Sequence, residues 1–186
     1  MKAAALLSML AVPALAQNSD GEGLGRYDSC LTAANAAFEA ALDDSMSRAS
    51  DPNFDMVGGG TFDFCAVLEI GDCDGTNDRF ACQAVLTDVM VALRGAIWAE
   101  IPAPQDVAGL DPIWSDGLYP SLWAVVQGVS AGPDCAGATQ AYTVWCEARA
   151  ASRSLSDVIT LRQVARVLGV VPALDLEGLQ AERVRE

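Results

Sequence analysis

Between Glu69 and Asp78 the chain reads EIGDCDGTND, with Cys65 ahead of it and Cys82 behind. Carboxylates and thiols crowded into a short loop are the raw material for calcium binding, zinc binding, thiol redox chemistry or disulfide stapling. A calcium loop alternates oxygen ligands, turns sharply on a Gly at its sixth position and closes on a bidentate Glu at its twelfth. Counted from Asp72, Asp74 suits the third position, but Gly75 arrives two residues early and the twelfth residue is Gln83. Asp72, Asp74, Asn77 and Asp78 are at best ligands for a weak extracellular-type cation. They read better as turn residues that accept backbone hydrogen bonds and start the next helix, with Asn77 as its cap.

Zinc fits no better. The chain has no His, so a structural site would need four thiolates, and zinc modules bring these in closely spaced pairs. Here the intervals from Cys65 through Cys73, Cys82 and Cys135 to Cys146 are seven, eight, 52 and ten residues, and there is no Cys-x-x-Cys redox pair. Six cysteines, Cys30, Cys65, Cys73, Cys82, Cys135 and Cys146, instead suggest three disulfides, provided the chain is exported. The pairing stays open among 15 connectivities. If residues 135 to 146 were wholly helical, Cys135 and Cys146 would stand about 16 Å apart at the helical rise per residue, too far for a bridge, which needs α-carbons within about 7 Å. Each would then clip a distant segment unless Cys135 folds back in the preceding turn. A Cys73 to Cys82 bridge across the acidic loop needs only its last turn to be helical.

Export is what the first residues imply. MKAAALLSMLAVPALAQNSD places one Lys before an apolar run and ends it on small residues, the pattern of a signal peptide over 1–16 with cleavage after Ala16. Lys2 is the only lysine, so the processed chain would carry neither Lys nor His, and its ten arginines against 25 acidic residues leave a net charge of −15. That composition excludes Ser-His-Asp and Cys-His catalysis, Schiff bases and Ser-Lys dyads. A pair of carboxylates facing each other across a cleft, as in glycosidases, stays open, since 25 acids supply many pairs. No phosphate loop or dinucleotide fingerprint is present, and no cofactor is implied. Nucleic acid and anionic lipid are disfavoured by charge, whereas cationic proteins are favoured.

The elements that must position these residues are helical. Residues 17–26, QNSDGEGLGR, lack any apolar period and read as a flexible tether. From Ser29, Leu31, Ala34, Phe38, Ala41 and Leu42 recur at helical spacing. Pro52 and three glycines then break the chain, and Thr61 caps a short apolar segment, FDFCAVLEI, read as a short helix. Phe80, Leu86, Val89, Met90, Leu93 and Ile97 stripe a longer one that ends before Pro102. Residues 102–117 read as an irregular crossover packed down by Trp114, either long enough to offer a binding surface or simply sealing the core with Leu110 and Trp114. A helix follows near Pro120, then one from Asp134 through Trp145 and another from Ser156, stopped by Gly169. Residues 172–186 read as a charged, fraying tail. The expected fold class is mostly α: a single disulfide-stapled domain of five or six helices over 27–171, with no membrane span after signal removal. SLSDVITLRQVARVLGVV has the rhythm of a helix-turn-helix, but acids follow where a recognition helix would carry Arg or Lys, so it reads as an ordinary amphipathic helix.

YDSCLTAA, CAGATQAYTVWC and Trp145 followed by Arg149 together resemble the LprI-type periplasmic lysozyme inhibitor family. That family's further Cys after the Trp and Arg pair is replaced here by Ala150, Ala151 and Ser152. The resemblance implies an exported, non-enzymatic inhibitor of a cationic cell-wall hydrolase such as lysozyme, located in the periplasm or secreted. The competing classes are a carboxylate-dependent enzyme acting on envelope polysaccharide and a structural envelope component.

Overall fold

The computed structural model describes residues 24–47, 59–111, 113–128, 134–137 and 139–183. The expected signal peptide, most of the tether and the Pro52 segment lie outside the described residues. Among those described there are seven α-helices and no strand. They are α1 (Gly25–Ser47), α2 (Gly59–Asp74), α3 (Arg79–Ala99), α4 (Pro104–Val107), α5 (Tyr119–Gly128), α6 (Gln140–Val167) and α7 (Leu176–Arg183), with a π-helical turn at Trp114–Leu118 leading into α5. The mostly helical class and the disulfides agree with the sequence reading; the number of helices exceeds it.

α1 buries Tyr27, Leu31, Ala34, Phe38 and Leu42, at intervals of three and four that line one face. It begins at Gly25, so the last residues of the expected tether belong to the helix. α2 runs through Asp74, so Asp72 and Asp74 are helical rather than loop residues. α3 carries the expected stripe inward: Leu86, Val89, Met90, Leu93 and Ile97 are buried. Its cap is Asp78, one residue later than Asn77, with Oδ1 accepting from Ala81 N at 3.3 Å. Among the described residues α3 alone is long and apolar enough to cross a membrane; here that stripe packs into the helical core, with Asp88 exposed on the outer side.

α6 corrects the expected pair of helices. It is one 28-residue helix, capped by Thr139, whose hydroxyl accepts from Tyr142 N. The polar run EARAASRSLS spans the expected junction, and Ser is neutral to unfavourable inside exposed helices. Here two of its serines bond to neighbouring helices: Ser152 Oγ donates to Asp63 at 2.6 Å, and Ser154 Oγ accepts from Arg94 Nε at 2.6 Å. Gly169, at φ +75°, stops the helix as expected, and Val170 N returns to Ala165 O at 3.1 Å.

Two further expectations change. The segment after Pro172 packs rather than frays: Leu174 and Leu176 are buried, Asn35 Nδ2 donates to Leu174 O at 3.0 Å, and Gln180 Nε2 donates to Asp28 O at 3.3 Å. In the crossover, Trp114 packs against the core, but Leu110 is exposed and seals nothing. Tyr119 closes that side, fully buried, with its hydroxyl donating to Pro102 O at 2.7 Å.

Three cross-links and ion pairs fix the relative directions. The Cys73–Cys82 bridge closes the α2–α3 hairpin, so these helices are antiparallel. Arg94 to Ser154 and Glu100 to Arg162 advance together along α3 and α6, so that pair is parallel. α2 is therefore antiparallel to α6, and the starts of α3 and α6 stand level at one end of the bundle.

Candidate functional site at the stapled end of the bundle

All six cysteines pair, as Cys30–Cys65, Cys73–Cys82 and Cys135–Cys146, with α-carbons 5.6, 5.5 and 5.8 Å apart. Cys135 does fold back. α6 starts only at Gln140, and the turn before it brings Cys135 onto the second turn of the helix, where Thr143 Oγ1 donates to Cys135 O at 3.1 Å. The two short-range bridges both sit at the end where α2 meets α3 and α6 begins.

At that end the acidic stretch of the hairpin is held by protein partners. Asp72 pairs with Arg26 at 2.6 Å, Asp74 Oδ1 accepts from buried Gln83 Nε2 at 2.7 Å, and Asp78 caps α3. Asn77 is exposed. Among the described residues no three His, Cys, Asp or Glu side chains are grouped to hold a metal.

Beside the hairpin, Tyr142 and Trp145 stand out from the first two turns of α6, 51% and 44% exposed, their ring centroids 5.8 Å apart. Arg149 lies one turn on. It makes a two-pronged pair with Asp63 of α2 at 3.0 and 2.9 Å. Asp63 Oδ1 also accepts from Ser152, so both its oxygens are engaged. Burial pushes this carboxyl upward, but the Ser152 and Arg149 hydrogen bonds and the Arg149 charge outweigh it and hold its pKa below the usual value. One turn along α2 from Asp63 is Val67, and one turn back along α6 from Arg149 is Trp145. In an antiparallel pair these steps lead the same way. Val67 and neighbouring Phe64, both exposed, thus extend the aromatic surface across the two helices.

A second carboxylate lies near. Burial raises the pKa of Asp157, and the Asp63 charge adds to that rise while Arg94 opposes it. Asp63 itself serves as an anchor between helices. Deeper in the α1–α2 contact, Glu69 is 2% exposed, and its Oε2 has no hydrogen-bond partner among the described residues. Burial raises its pKa, reinforced by Asp72. On the far side of α1, a groove of about 410 Å³ runs beside α7, lined by Asp28, Ser29, Thr32, Glu177 and Gln180.

The arginines are mostly turned to internal use. Arg26, Arg149, Arg162 and Arg166 form ion pairs between elements. Arg94 bonds Ser154 and Val126 O, and Arg79 lies 4.7 Å from the centre of the Phe80 ring. Meanwhile Asp43, Asp88, Asp106, Asp116, Asp134, Glu147, Glu177 and Glu182 are exposed.

Sequence reasoning singled out the cysteines, Trp145 and Arg149. It missed Asp63, Ser152, Phe64, Val67 and Glu69. The available signal was the helical register of TFDFCAVLE: once it is one helix, Asp63 and Val67 share a side. No family model, curated protein or solved structure matches the chain.

Proposed function

We propose that this is an exported, non-enzymatic binding protein for a cationic protein, with a lysozyme-type cell-wall hydrolase as the partner class. The observation that carries it is the division of charge. Four arginines are matched by carboxylates in ion pairs between elements, two more are exposed, and a surplus of carboxylates faces solvent. A surface of one sign steers an oppositely charged partner and raises its rate of encounter, an effect that weakens with salt. Disulfide stapling supports the same reading, because a rigid surface loses little entropy on binding. It also fits an oxidising compartment, where such bonds persist. The resemblance of CAGATQAYTVWC and the Trp145–Arg149 pair to the LprI-type inhibitors adds the hydrolase as the partner to try first.

The test uses the chain from Gln17 onward, oxidised, against a c-type lysozyme, with binding and muramidase inhibition read at about 20 and 300 mM salt, below and above the regime in which surface charges are screened. Binding that weakens strongly between the two supports the reading. No binding and no inhibition at the lower salt removes it.

A further inference from the structure

We propose that the cationic partner docks on the face shared by α2 and the start of α6, with Tyr142 and Trp145 receiving its basic side chains and Phe64 and Val67 the apolar part of its contact. This rests on the function proposed above and adds where and by what chemistry binding occurs.

Four observations converge on this face. Its side chains are large, apolar and between 41% and 55% exposed, and two are the aromatic types that most often dominate binding energy. Tyr142 and Trp145 are set near each other and are 51% and 44% exposed, and such rings attract an Arg or Lys through the ring quadrupole. The surface is held on both sides. The Cys135–Cys146 bridge pins the turn beside it, and the Asp63–Arg149–Ser152 cluster locks α2 to α6 beneath it. Lastly, the charge around this end suits a basic partner: Asp74 and Asp78 on the hairpin and Asp134 on the stapled turn are exposed at the level where α6 begins, against one exposed Arg79, with Asp72 paired to Arg26. Of the arginines on this part of α6, Arg149 is paired with Asp63, while Arg153 is exposed one turn farther from the rings and its charge also acts on Asp63.

Binding to a c-type lysozyme at low salt is compared for the unaltered chain, Trp145→Ala, Tyr142→Ala, Phe64→Ser and a control, Ile113→Ser, whose side chain is apolar and, at 78%, more exposed but belongs to the crossover. Loss of an aromatic anchor weakens a protein interface by about tenfold or more, so Trp145→Ala is expected to raise Kd at least that much, Tyr142→Ala and Phe64→Ser severalfold, and Ile113→Ser less than twofold. All five proteins are compared by circular dichroism and melting temperature. Because the altered side chains are exposed, folding is expected to be kept, and Tyr142→Ala and Phe64→Ser each test the face separately should Trp145→Ala not fold. If the unaltered chain binds and the three face variants bind equally well, the location is wrong and the function stands. If the unaltered chain does not bind, both fall.

Discussion

Glu69 is a carboxylate placed where a carboxylate is costly. It lies in the α1–α2 contact with one oxygen lacking a hydrogen-bond partner among the described residues, and burial followed by the Asp72 charge raises its pKa. A group whose folded pKa is raised contributes most below its ordinary value, and that contribution is lost as pH rises through the raised value. Asp157 acts in the same direction. Asp63 is the reverse: its pKa is lowered, so its contribution is present above the ordinary carboxylate range and lost as pH falls through the lowered value. Melting temperature is therefore expected to rise as pH drops from neutral toward the upper edge of the carboxylate range, then to fall below it. Glu69→Gln, which keeps the shape and removes the charge, is expected to raise the neutral-pH melting temperature by a few degrees and flatten the first part of that profile. A lower melting temperature at neutral pH would contradict this reading of Glu69. Asp63→Ala should cost about 1–3 kcal/mol, because it strands Arg149 and Ser152. A double-mutant cycle with Arg149→Ala should show that much of the cost is shared between the two; additive losses would mean the pair is not coupled.

At the scale of elements, the disulfides set what the helices can do. Non-reducing peptide mapping is expected to recover Cys30–Cys65, Cys73–Cys82 and Cys135–Cys146, and a crossed pairing that loses Cys73–Cys82 would break the antiparallel α2–α3 direction derived from it. Removing Cys135–Cys146 as a double Ser variant should cost about 2–3 kcal/mol for a loop this short, while α6 persists from its Thr139 cap. The helices with an uninterrupted apolar stripe, α1 and α3, were legible in the sequence because one amphipathic face suffices to place them. α6 was not. Its middle is polar on the surface of the sequence and buried in the fold, and Ser152 and Ser154 gain their role only from Asp63 and Arg94, acids and bases supplied by other helices. α7 escaped for a similar reason: Leu174, Leu176 and Leu179 are too few to declare a core face, yet α1 offers them one. The Cys73–Cys82 bridge was foreseen as a possibility from spacing. Cys135–Cys146 depended on where α6 begins, and helix boundaries are the least certain part of any reading by periodicity. Of the candidate site, Trp145 and Arg149 drew notice by type. Phe64, Val67 and Asp63 did not, because their common side appears only once α2 is known to lie antiparallel to α6.

The molecule as a whole is a bundle with a large excess of negative charge, in which four arginines are held in ion pairs between elements while Arg79 and Arg153 stay exposed. Arg162 is nearly buried against Glu100, and Arg166 joins α6 to Glu39 of α1. These pairs link elements, each matching one cation with one carboxylate, and the charge left over is the excess of 25 acidic over 11 basic residues. The consequence is a long-range field of one sign around a cross-linked body, with an aromatic face at the stapled end for short-range contact. The most direct measurement is calorimetric titration of the oxidised chain from Gln17 onward with a c-type lysozyme at about 20 and 300 mM salt. Saturable binding at the lower salt, weakened by about tenfold or more at the higher, is the predicted result. No heat of binding at the lower salt, or an affinity indifferent to salt, would contradict the claim that this charge arrangement exists to capture a cationic partner.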